Sequence, residues 1–551
     1  MFQGRTRTSA GKHRRPIVDL PAEGDESPPV DDAMKKIISL CKRRGFVFQS
    51  SEIYGGLRSA YDYGPMGVEL KRNLMNEWWR SMVHSREDVV GLDAAIIMHP
   101  EVWRASGHLG GFSDPLVDCK VCGERFRADK APVVAEGTET PITLADKGRA
   151  KTALEKIQRT VGAELKRKGK VLHGAVAGDR GYVCPNCGAP YLSEERQFNL
   201  MFRTSLGPVD PIGDIVDAVR QGLEEGLDEK ALRSRVDRAV GESAVYLRPE
   251  TAQAMFVNFT NVQTAMACKV PFGIAQMGKS FRNEVTVEHF IFRSCEFEQM
   301  EMEYFVPPGQ GPTYLDYWKE QRMAWWQSVG LSADNLRFRE HAGDELAHYS
   351  DGCFDVEYKF PWGWDELEGI ASRTDFDLQA HTKGSGKKLT YFDPEAENPD
   401  TGKKGWRYVP HVIEPAAGAT RGLLAVLCDA YDEEPADADG KGARAVLRLH
   451  PRLSPVKCGI LPLVKKDGMP EVARKIAERF FAAGINAKYD AQHSIGKRYA
   501  RHDEIGTPYC LTVDTQTLSD STVTIRYRDD RRQERIQVDA ALDVVQQALA
   551  S

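Results

Sequence analysis

Residues 278–305 read GKSFRNEVTVEHFIFRSCEFEQMEMEYF, and the last ten of them alternate with a period of two, which is typical of a β-strand. One face of this strand carries Phe297, Gln299, Glu301 and Glu303, and the other carries Glu298, Met300, Met302 and Tyr304. A strand with charge on both faces is either a sheet edge or the floor of a polar cavity. Because Arg and Glu also cluster in the neighbouring segments, we favour the cavity.

The same stretch contains side chains that suit a polyphosphate. Arg282 and Arg293 flank a hairpin-like turn, and arginines paired in this way bind phosphate through bidentate contacts. Glu284 follows Arg282 by two residues, so both side chains are predicted on one face of a strand. Taken alone, the Arg282–Glu284 pair is explained equally well as a structural salt bridge.

On either side of this stretch, the chain divides into segments of different composition. Residues 1–31 are first basic and then acidic and Pro-rich, which predicts a disordered tail rather than a targeting peptide. Order is predicted from near Met34. Short apolar strands such as GIAQMG and FDVEYKF follow between Val245 and Leu427, and residues 431–444 are predicted to form a loop or linker. After Pro455, strands and helices alternate, which indicates a compact α/β domain.

The composition limits the possible classes of protein. At about 100–200 residues per domain, 551 residues predict roughly three to four units. Acidic residues number 80 and basic residues 74, which excludes a globally basic nucleic-acid protein but not a local basic surface. Residues 147–170 carry nine Lys or Arg and two Glu on a helical pattern, either a solvated helix face or an RNA-facing surface. No stretch approaches the ~18 apolar residues of a membrane span, so we expect a soluble protein that contacts no membrane.

Four of the 11 cysteines form two CxxC pairs, Cys119 with Cys122 and Cys184 with Cys187. Two such turns supply the four thiolates of a tetrahedral Zn²⁺ site with no open position, so the zinc is predicted to be structural. A thioredoxin-like redox pair is the alternative. The basic segment accounts for the long separation between the pairs. The other seven cysteines are expected to be ordinary thiols in a reducing compartment.

Three strings together resemble the signature motifs of the class II aminoacyl-tRNA synthetases. The segment from Phe281 to Phe297 resembles motif 2, EPAAGATRGLLAVL (414–427) resembles motif 3, and YDYGPMGVELKRNLMNEWWR (61–80) with IIMHP resembles motif 1. Further strings are very similar to glycyl-tRNA synthetase of the homodimeric type: CKRRGFVFQSSEIYGG, YLRPETAQAMFVNF, ELEGIASRTDFDL and YVPHVIEPAAGATR. The resemblance covers residues 34–551.

The resemblance implies an α+β fold with an antiparallel class II catalytic core in residues 32–445. Zinc-ribbon-like and helical insertions are expected at about 117–200 and 208–242, and a C-terminal α/β anticodon-binding domain in residues 446–551. It also implies a cytoplasmic homodimer that uses ATP, Mg²⁺ and a structural Zn²⁺ to attach glycine to tRNA(Gly) through glycyl-adenylate. Lys497, Arg498 and Arg501 would lie on an RNA-facing helix.

The resemblance also implies roles for individual residues. Arg282 and Arg421 are expected to be catalytic, at the α-phosphate and near the γ-phosphate, with Phe297 stacked on adenine. The ATP-binding residues are expected to be Arg282, Asn283, Glu284, Phe292, Arg293, Ser294, Cys295, Glu296, Phe297, Glu366, Leu367, Gly418, Ala419, Thr420 and Arg421. The glycine-binding residues are expected to be Arg127, Glu250, Phe297, Glu298, Gln299, Met300, Glu301, Glu414, Pro415, Ala416, Ala417 and Gly418.

Physical chemistry makes this acidic set intelligible. Glycine has no side chain to grip, so selectivity must combine a clamp on the ammonium group with a wall that excludes any Cβ. Glu250, Glu298 and Glu414 are the expected clamp.

One departure from the family pattern is Val287-Glu288, in a loop where a Pro-Arg-like pair is common, which affects the expected acceptor-stem contacts. Two other functions compete: a synthetase-like binding protein without catalysis, and a synthetase for another small amino acid.

Overall fold

The computed structural model describes residues 30–57, 59–143, 166–168, 171–206, 211–242, 244–285, 289–343, 346, 350–435 and 444–550. The predicted tail lies almost wholly outside this range, as do Val287, Glu288 and most of the basic segment 147–170. The first helix, Val30–Arg44, begins four residues before Met34. Of the basic segment, Lys166–Lys168 is described, and it forms a strand instead of the helix that its pattern predicts.

A seven-stranded sheet forms the centre of the molecule. In chain order its strands are β1 (Val89–Gly91), β2 (Phe272–Phe281), β3 (Glu296–Val306), β4 (Leu336–Glu340), β5 (Gly352–Phe360), β6 (Gly363–Thr374) and β7 (His411–Gly418). They lie side by side in the order β4-β5-β6-β7-β3-β2-β1, and every pair is antiparallel except β2 with β1. The chain therefore combines helices and sheets around a largely antiparallel central sheet. This agrees with the predicted α+β class.

Strand β3 lies between β2 and β7, so it is not a sheet edge. Its apolar face, with Met300, Met302 and Tyr304, packs into the largest core cluster. That cluster also holds the helices Pro65–Trp79, Gly311–Ser328 and Ala419–Ala430. Because successive side chains alternate across a strand, Phe297, Gln299 and Glu301 face away from this core. The predicted polar cavity is confirmed on that side.

Two structural differences concern the predicted ends of elements. Strand β2 ends at Phe281, so Arg282 and Glu284 follow the strand and do not share one of its faces. The predicted linker begins as a strand, because Tyr431–Glu434 pairs with Arg444–Leu447 in a two-stranded ribbon.

The segment around the two CxxC pairs is a small unit with its own core. One sheet joins Ser113–Asp118, Arg125–Arg127 and Arg196–Asn199, and another joins Ile142–Thr143, Lys166–Lys168 and Val171–His173. Its core consists of small apolar side chains packed around three of the four cysteines. Two antiparallel helices, Pro211–Glu224 and Glu229–Glu242, follow in the chain.

The C-terminal domain contains a five-stranded sheet with its own apolar core. Its strands are β8 (Cys458–Pro462), β9 (Ala487–Tyr489), β10 (Tyr509–Val513), β11 (Thr522–Tyr527) and β12 (Gln533–Gln537), in the order β9-β8-β10-β11-β12. Helices Met469–Ala482, Ile495–Glu504, Thr515–Asp520 and Val538–Ala550 cover it. The predicted strand–helix alternation is confirmed.

The remaining elements are short and connect these units. The helices are Pro100–Ala105, His108–Gly111, Ala252–Val257, Phe259–Met266 and Phe376–Ser385, and short helical turns lie at Glu52–Tyr54, Arg80–His84, Ala128–Lys130, Phe290–Phe292 and Ala333–Asn335. The other strands are Val47–Gln49, Tyr61–Tyr63, Ile97–Met98, Arg203–Ser205, Ala244–Leu247, Tyr391–Glu397 and Lys404–Tyr408. No helix in the described part of the chain combines the length and apolar character that crossing a membrane requires.

Candidate active site

A cavity of about 520 Å³ lies over the polar face of β3, β6 and β7. Many of the sequence-predicted site residues line it: Arg127, Glu250, Arg282, Glu284, Phe292, Arg293, Ser294, Phe297, Gln299, Glu301, Glu366, Glu414, Ala416, Gly418, Thr420 and Arg421. They come from segments far apart in the chain. The fold therefore brings the predicted phosphate-binding and carboxylate groups into one space.

Nine of the predicted residues do not line the cavity: Asn283, Cys295, Glu296, Glu298, Met300, Leu367, Pro415, Ala417 and Ala419. Strand alternation explains several of them, since Met300, Leu367 and Ala417 point into the core. Glu298 is on the same face as Met300 and forms an ion pair with Lys71. The structure thus separates Glu298 from the other predicted clamp carboxylates.

The two key arginines reach the cavity from different segments of the chain. Arg282 Nε donates to the Pro249 carbonyl at 3.0 Å, and its guanidinium lies 5.4 Å from the centroid of the Phe297 ring. Arg421 lies in the first turn of the helix Ala419–Ala430, and its Nη1 lies 3.1 Å from Glu366 Oε1. The Arg421 guanidinium stacks over Phe292 at 4.3 Å. Aromatic contact and a fixed backbone partner hold both cations in place without neutralising Arg282.

Three buried carboxylates face the cavity beside the arginines. Glu301 Oε2 accepts hydrogen bonds from the backbone N–H of Thr251, at 3.0 Å, and from its hydroxyl. Glu414 Oε2 accepts from Arg373 Nη1 at 2.8 Å, and Glu250 Oε2 lies 3.3 Å from His108 Nε2. Such a group of carboxylates binds one cationic ligand well, because the ligand relieves their mutual repulsion.

The protein shifts the pKa values of these three carboxyl groups in different directions. Burial, together with the charges of Glu414 and Glu250, raises the pKa of Glu301 well above its usual range. Burial and Glu250 also raise the pKa of Glu414, although Arg373 opposes them. For Glu250, burial is outweighed by His108, Arg373 and Arg282, and its pKa falls. The pocket therefore contains one carboxylate, Glu250, whose pKa favours the ionised form and two others whose charge depends on what lies beside them.

Sequence reasoning missed the residues that hold this acidic group in place. Arg373 is buried and bridges Glu414 to Asp377, whose Oδ2 lies 2.7 Å from Arg373 Nε. Gln253 Nε2 donates to Glu250 Oε1 at 3.1 Å and to Asp377 Oδ1 at 2.9 Å. These residues lie inside the quoted strings YLRPETAQAMFVNF and ELEGIASRTDFDL, which were the available signal. His108 lies in no quoted string.

Three further side chains missed from the sequence lie at the β5 end of the cavity, where His341, Cys353 and Asp355 contribute to its lining. The His341 Nε2 atom lies 2.7 Å from Asp355 Oδ2. Between them and Glu414, the strand positions are occupied by Gly369 and Ala371, so the floor of the cavity is low there.

Arg127 reaches the cavity from the cysteine-bearing unit. The strand that it ends pairs with Ser113–Asp118, and the Arg127 guanidinium lies 2.9 Å from Asp114 Oδ1 and 2.8 Å from Asp129 Oδ2. Ser113 and Asp114 line the same cavity, and the strand then runs directly to Cys119. The position of Arg127 is therefore tied to the folding of that unit.

The four predicted zinc ligands lie together. The sulfur atoms of Cys119 and Cys187 are 3.7 Å apart, as are those of Cys122 and Cys184. A tetrahedral site with Zn–S bonds of ~2.3 Å requires sulfur separations of about 3.8 Å. These short contacts join the two CxxC turns to each other, which fits one shared metal better than two independent redox pairs.

Comparisons with known proteins show the family of this chain. The family described as "Anticodon binding domain" matches residues 457–548. A glycine–tRNA ligase from Treponema denticola is 44% identical over 506 residues, covering 92% of this chain and 94% of the relative. Those of Streptomyces coelicolor and Bifidobacterium longum are 46% and 47% identical, covering 92% and 93% of this chain and 96% and 92% of the relatives. The chain therefore belongs to the glycine–tRNA ligase family.

Proposed function

We propose that this chain attaches glycine to tRNA(Gly) in two steps. The glycine carboxylate attacks the α-phosphorus of ATP, which gives glycyl-adenylate and releases pyrophosphate. A hydroxyl of the terminal adenosine of the tRNA then attacks the glycyl carbonyl, and AMP leaves. The observation that carries this proposal is the single cavity in which Arg282 and Arg421 face three buried carboxylates.

The cationic side of the cavity would bind ATP. Arg282 neutralises charge at the α-phosphate, Arg421 lies near the γ-phosphate, and Phe297 stacks on the adenine ring. Glu284 and Glu366 line the same side and would hold Mg²⁺, whose preferred ligands are carboxylate oxygens and phosphates. No side chain has to act as a nucleophile, so positioning and charge neutralisation supply most of the rate.

The acidic side would bind the ammonium group of glycine. Glu250, Glu301 and Glu414 form this clamp, and Glu298 is left out because it is paired with Lys71 on the opposite face of β3. Arg127 also lines the cavity and contributes a cation there, which binding of a substrate carboxylate would require.

The remaining features of the family complete the proposal. The central sheet is a class II catalytic core, the cysteine-bearing unit is a zinc-ribbon-like insertion with one structural Zn²⁺, and the enzyme works as a homodimer in the cytoplasm. The sulfur separations of 3.7 Å support the zinc. The motif 1 resemblance, whose helix lies in Pro65–Trp79 and whose strand lies at Ile97–Met98, supports the dimer, which sedimentation equilibrium would test.

The deciding experiment is ATP–pyrophosphate exchange with glycine, alanine and serine. We expect exchange that requires glycine and falls by about 10²–10³ in Arg282→Ala, since that variant removes a preorganised cation from the reacting phosphate. Arg220→Ala is the matched control, because Arg220 is an exposed helix residue that pairs only locally with Asp217. Equal rates with alanine or serine would contradict the glycine assignment, and no exchange with any of the three would favour a binding protein without catalysis.

A further inference from the structure

Glu303 is a buried carboxyl group directly behind the proposed glycine clamp. It is on the same face of β3 as Glu301, and its side chain is 0% exposed. Its partner on β2 is Ile274. On β7 it is opposite Glu414, because the next pair in that antiparallel register is Tyr304 with Ile413. Glu303 does not line the cavity, so it would touch no substrate.

The surroundings of Glu303 are acidic. One carboxylate oxygen from each of Glu301, Glu303 and Glu414 lies within 4.8 Å of the others. Neither oxygen of Glu303 accepts a hydrogen bond from any donor among the described residues. An ionised carboxylate that is buried without a partner is strongly disfavoured, and such a group takes up a proton instead.

Among the described residues, the cation that acts on Glu303 is Arg373, and it is already engaged. The charged groups that act on Glu303 are Glu414, Arg373, Glu301 and Asp377. The Arg373 guanidinium lies 2.8 Å from Glu414 Oε2 and 2.7 Å from Asp377 Oδ2. Burial and the negative neighbours raise the pKa of Glu303 well above its usual range, and Arg373 does not offset them.

We propose that Glu303 is a positioning residue of the glycine site, a neutral carboxylic acid that donates its proton to a clamp carboxylate, Glu301 or Glu414. This hydrogen bond fixes the direction of the clamp carboxylate towards the ammonium group. It also limits the negative charge that the pocket must bury when glycine is absent. The inference rests on the proposed glycine site, which it extends by one residue.

Two variants of the full-length enzyme distinguish this role from a merely structural one. Glu303→Gln keeps the shape and a hydrogen-bond donor and cannot ionise, so we expect its KM for glycine to stay within about threefold of wild type. Glu303→Leu keeps the bulk but loses the donor, so we expect its KM for glycine to rise by at least about tenfold. The KM for ATP should change less than about twofold in both variants.

An infrared difference spectrum tests the protonation state directly. At pH 7.5, the wild type minus Glu303→Gln should contain the carbonyl stretch of a protonated carboxylic acid. A difference spectrum with only ionised carboxylate bands would overturn the proposal, and so would a Glu303→Gln variant as impaired for glycine as Glu303→Leu. If Glu303→Leu does not fold, the infrared comparison of wild type with Glu303→Gln still tests the protonation of Glu303. A wild type without glycine-dependent exchange would contradict the proposed function, whereas the infrared result does not depend on activity.

Discussion

Arg498 illustrates how a basic side chain can serve the interior of a domain. It is 2% exposed, and its guanidinium donates to the carbonyls of Pro462 at 2.6 Å, Asp490 at 3.1 Å and Leu463 at 3.1 Å. The sequence suggests an RNA-facing role for Arg498, but these bonds tie the helix Ile495–Glu504 to the end of β8. Arg501 is similarly occupied, 2.5 Å from Asp490 Oδ2. Of the three predicted basic residues, Lys497 is the exposed one.

This difference gives a paired prediction. Arg498→Ala should destabilise the C-terminal domain by about 2–4 kcal/mol, because charge-assisted bonds are lost and buried carbonyls are left unpaired. Lys497→Ala should leave the melting temperature unchanged and weaken tRNA binding, more so at low salt. Thermal unfolding and tRNA binding at two salt concentrations measure both. An unchanged melting temperature for Arg498→Ala would contradict this assignment.

His502, one turn further along the same helix, should make the stability of the folded protein depend on pH. It is buried, its Nδ1 lies 3.0 Å from Thr507 Oγ1, and burial lowers its pKa to about 3. In the unfolded chain a histidine titrates near ~6.5. Between these values the unfolded state binds the proton and the folded state does not. Stability is therefore full above pH ~6.5 and is lost as the pH falls towards 3, by up to ~1.4 kcal/mol per pH unit.

The measurement is the melting temperature of wild type and His502→Gln at pH 7.5 and pH 5.0. We expect a smaller loss between the two pH values in His502→Gln, because the variant has no group to titrate. Equal losses would show that acid acts on other groups.

The sequence predicts site residues correctly when they belong to a recognisable motif. It predicts them poorly when their position depends on contacts with distant parts of the chain. Arg282, Arg421, Glu250 and Glu414 were all predicted and all line the cavity. Glu298 was expected beside them, but its place on the opposite face and its pairing with Lys71 depend on a contact between distant segments. His108 and Arg373 act through such contacts as well. Arg373 lies in one of the family-like strings, whereas no local pattern indicates His108.

At the scale of elements, the cysteine-bearing unit joins metal binding to the cavity. Its strand Ser113–Asp118 begins at the cavity wall and ends beside Cys119, and the neighbouring strand places Arg127 in the lining. The spacing of the cysteines predicts a metal, but it does not predict this connection. The connection follows from strand pairing, which a single sequence does not reveal.

We therefore predict that zinc and substrate binding are linked. The wild type should contain one zinc per chain, and Cys122→Ser should lose it, with a lower melting temperature and a raised KM for substrates. Cys268→Ser is the control, because Cys268 lies outside the cluster. Elemental analysis and exchange kinetics on the same samples test this. If Cys122→Ser lacks zinc but keeps wild-type KM values, substrate binding does not depend on the cysteine-bearing unit.

At the scale of the whole molecule, ion pairs join the two ends of the chain. Glu504, at the end of the helix Ile495–Glu504, pairs with Arg43 at 3.0 Å and with Arg44. Nearby, Arg452 Nη1 lies 2.9 Å from Glu77 Oε2, and Asn73 donates to the Leu453 carbonyl at 3.0 Å. The C-terminal domain is thus fixed to the first two helices by partly buried polar contacts.

Removing one of these contacts should make the domains unfold more independently. In differential scanning calorimetry we expect the transition of Glu504→Gln to broaden or split, with a lower first melting temperature, because two arginines lose their shared carboxylate. Glu433→Gln is a suitable control, because Glu433 makes an exposed pair with Lys36 in the same region. A single transition at the wild-type temperature in Glu504→Gln would show that the Glu504 ion pairs do not couple the domains.

The two faces of β3 have a consequence for the genetics of this protein. From Phe297 to Tyr304 the side chains alternate between the polar face that carries Glu301 and the face packed into the main core, without a break in the register with β2. Inserting or deleting one codon within this strand would exchange the two sets, with Met300 and Met302 turned towards ATP and Glu301 and Glu303 turned into the core. We expect a library of variants to tolerate some substitutions along β3 but no change in its length.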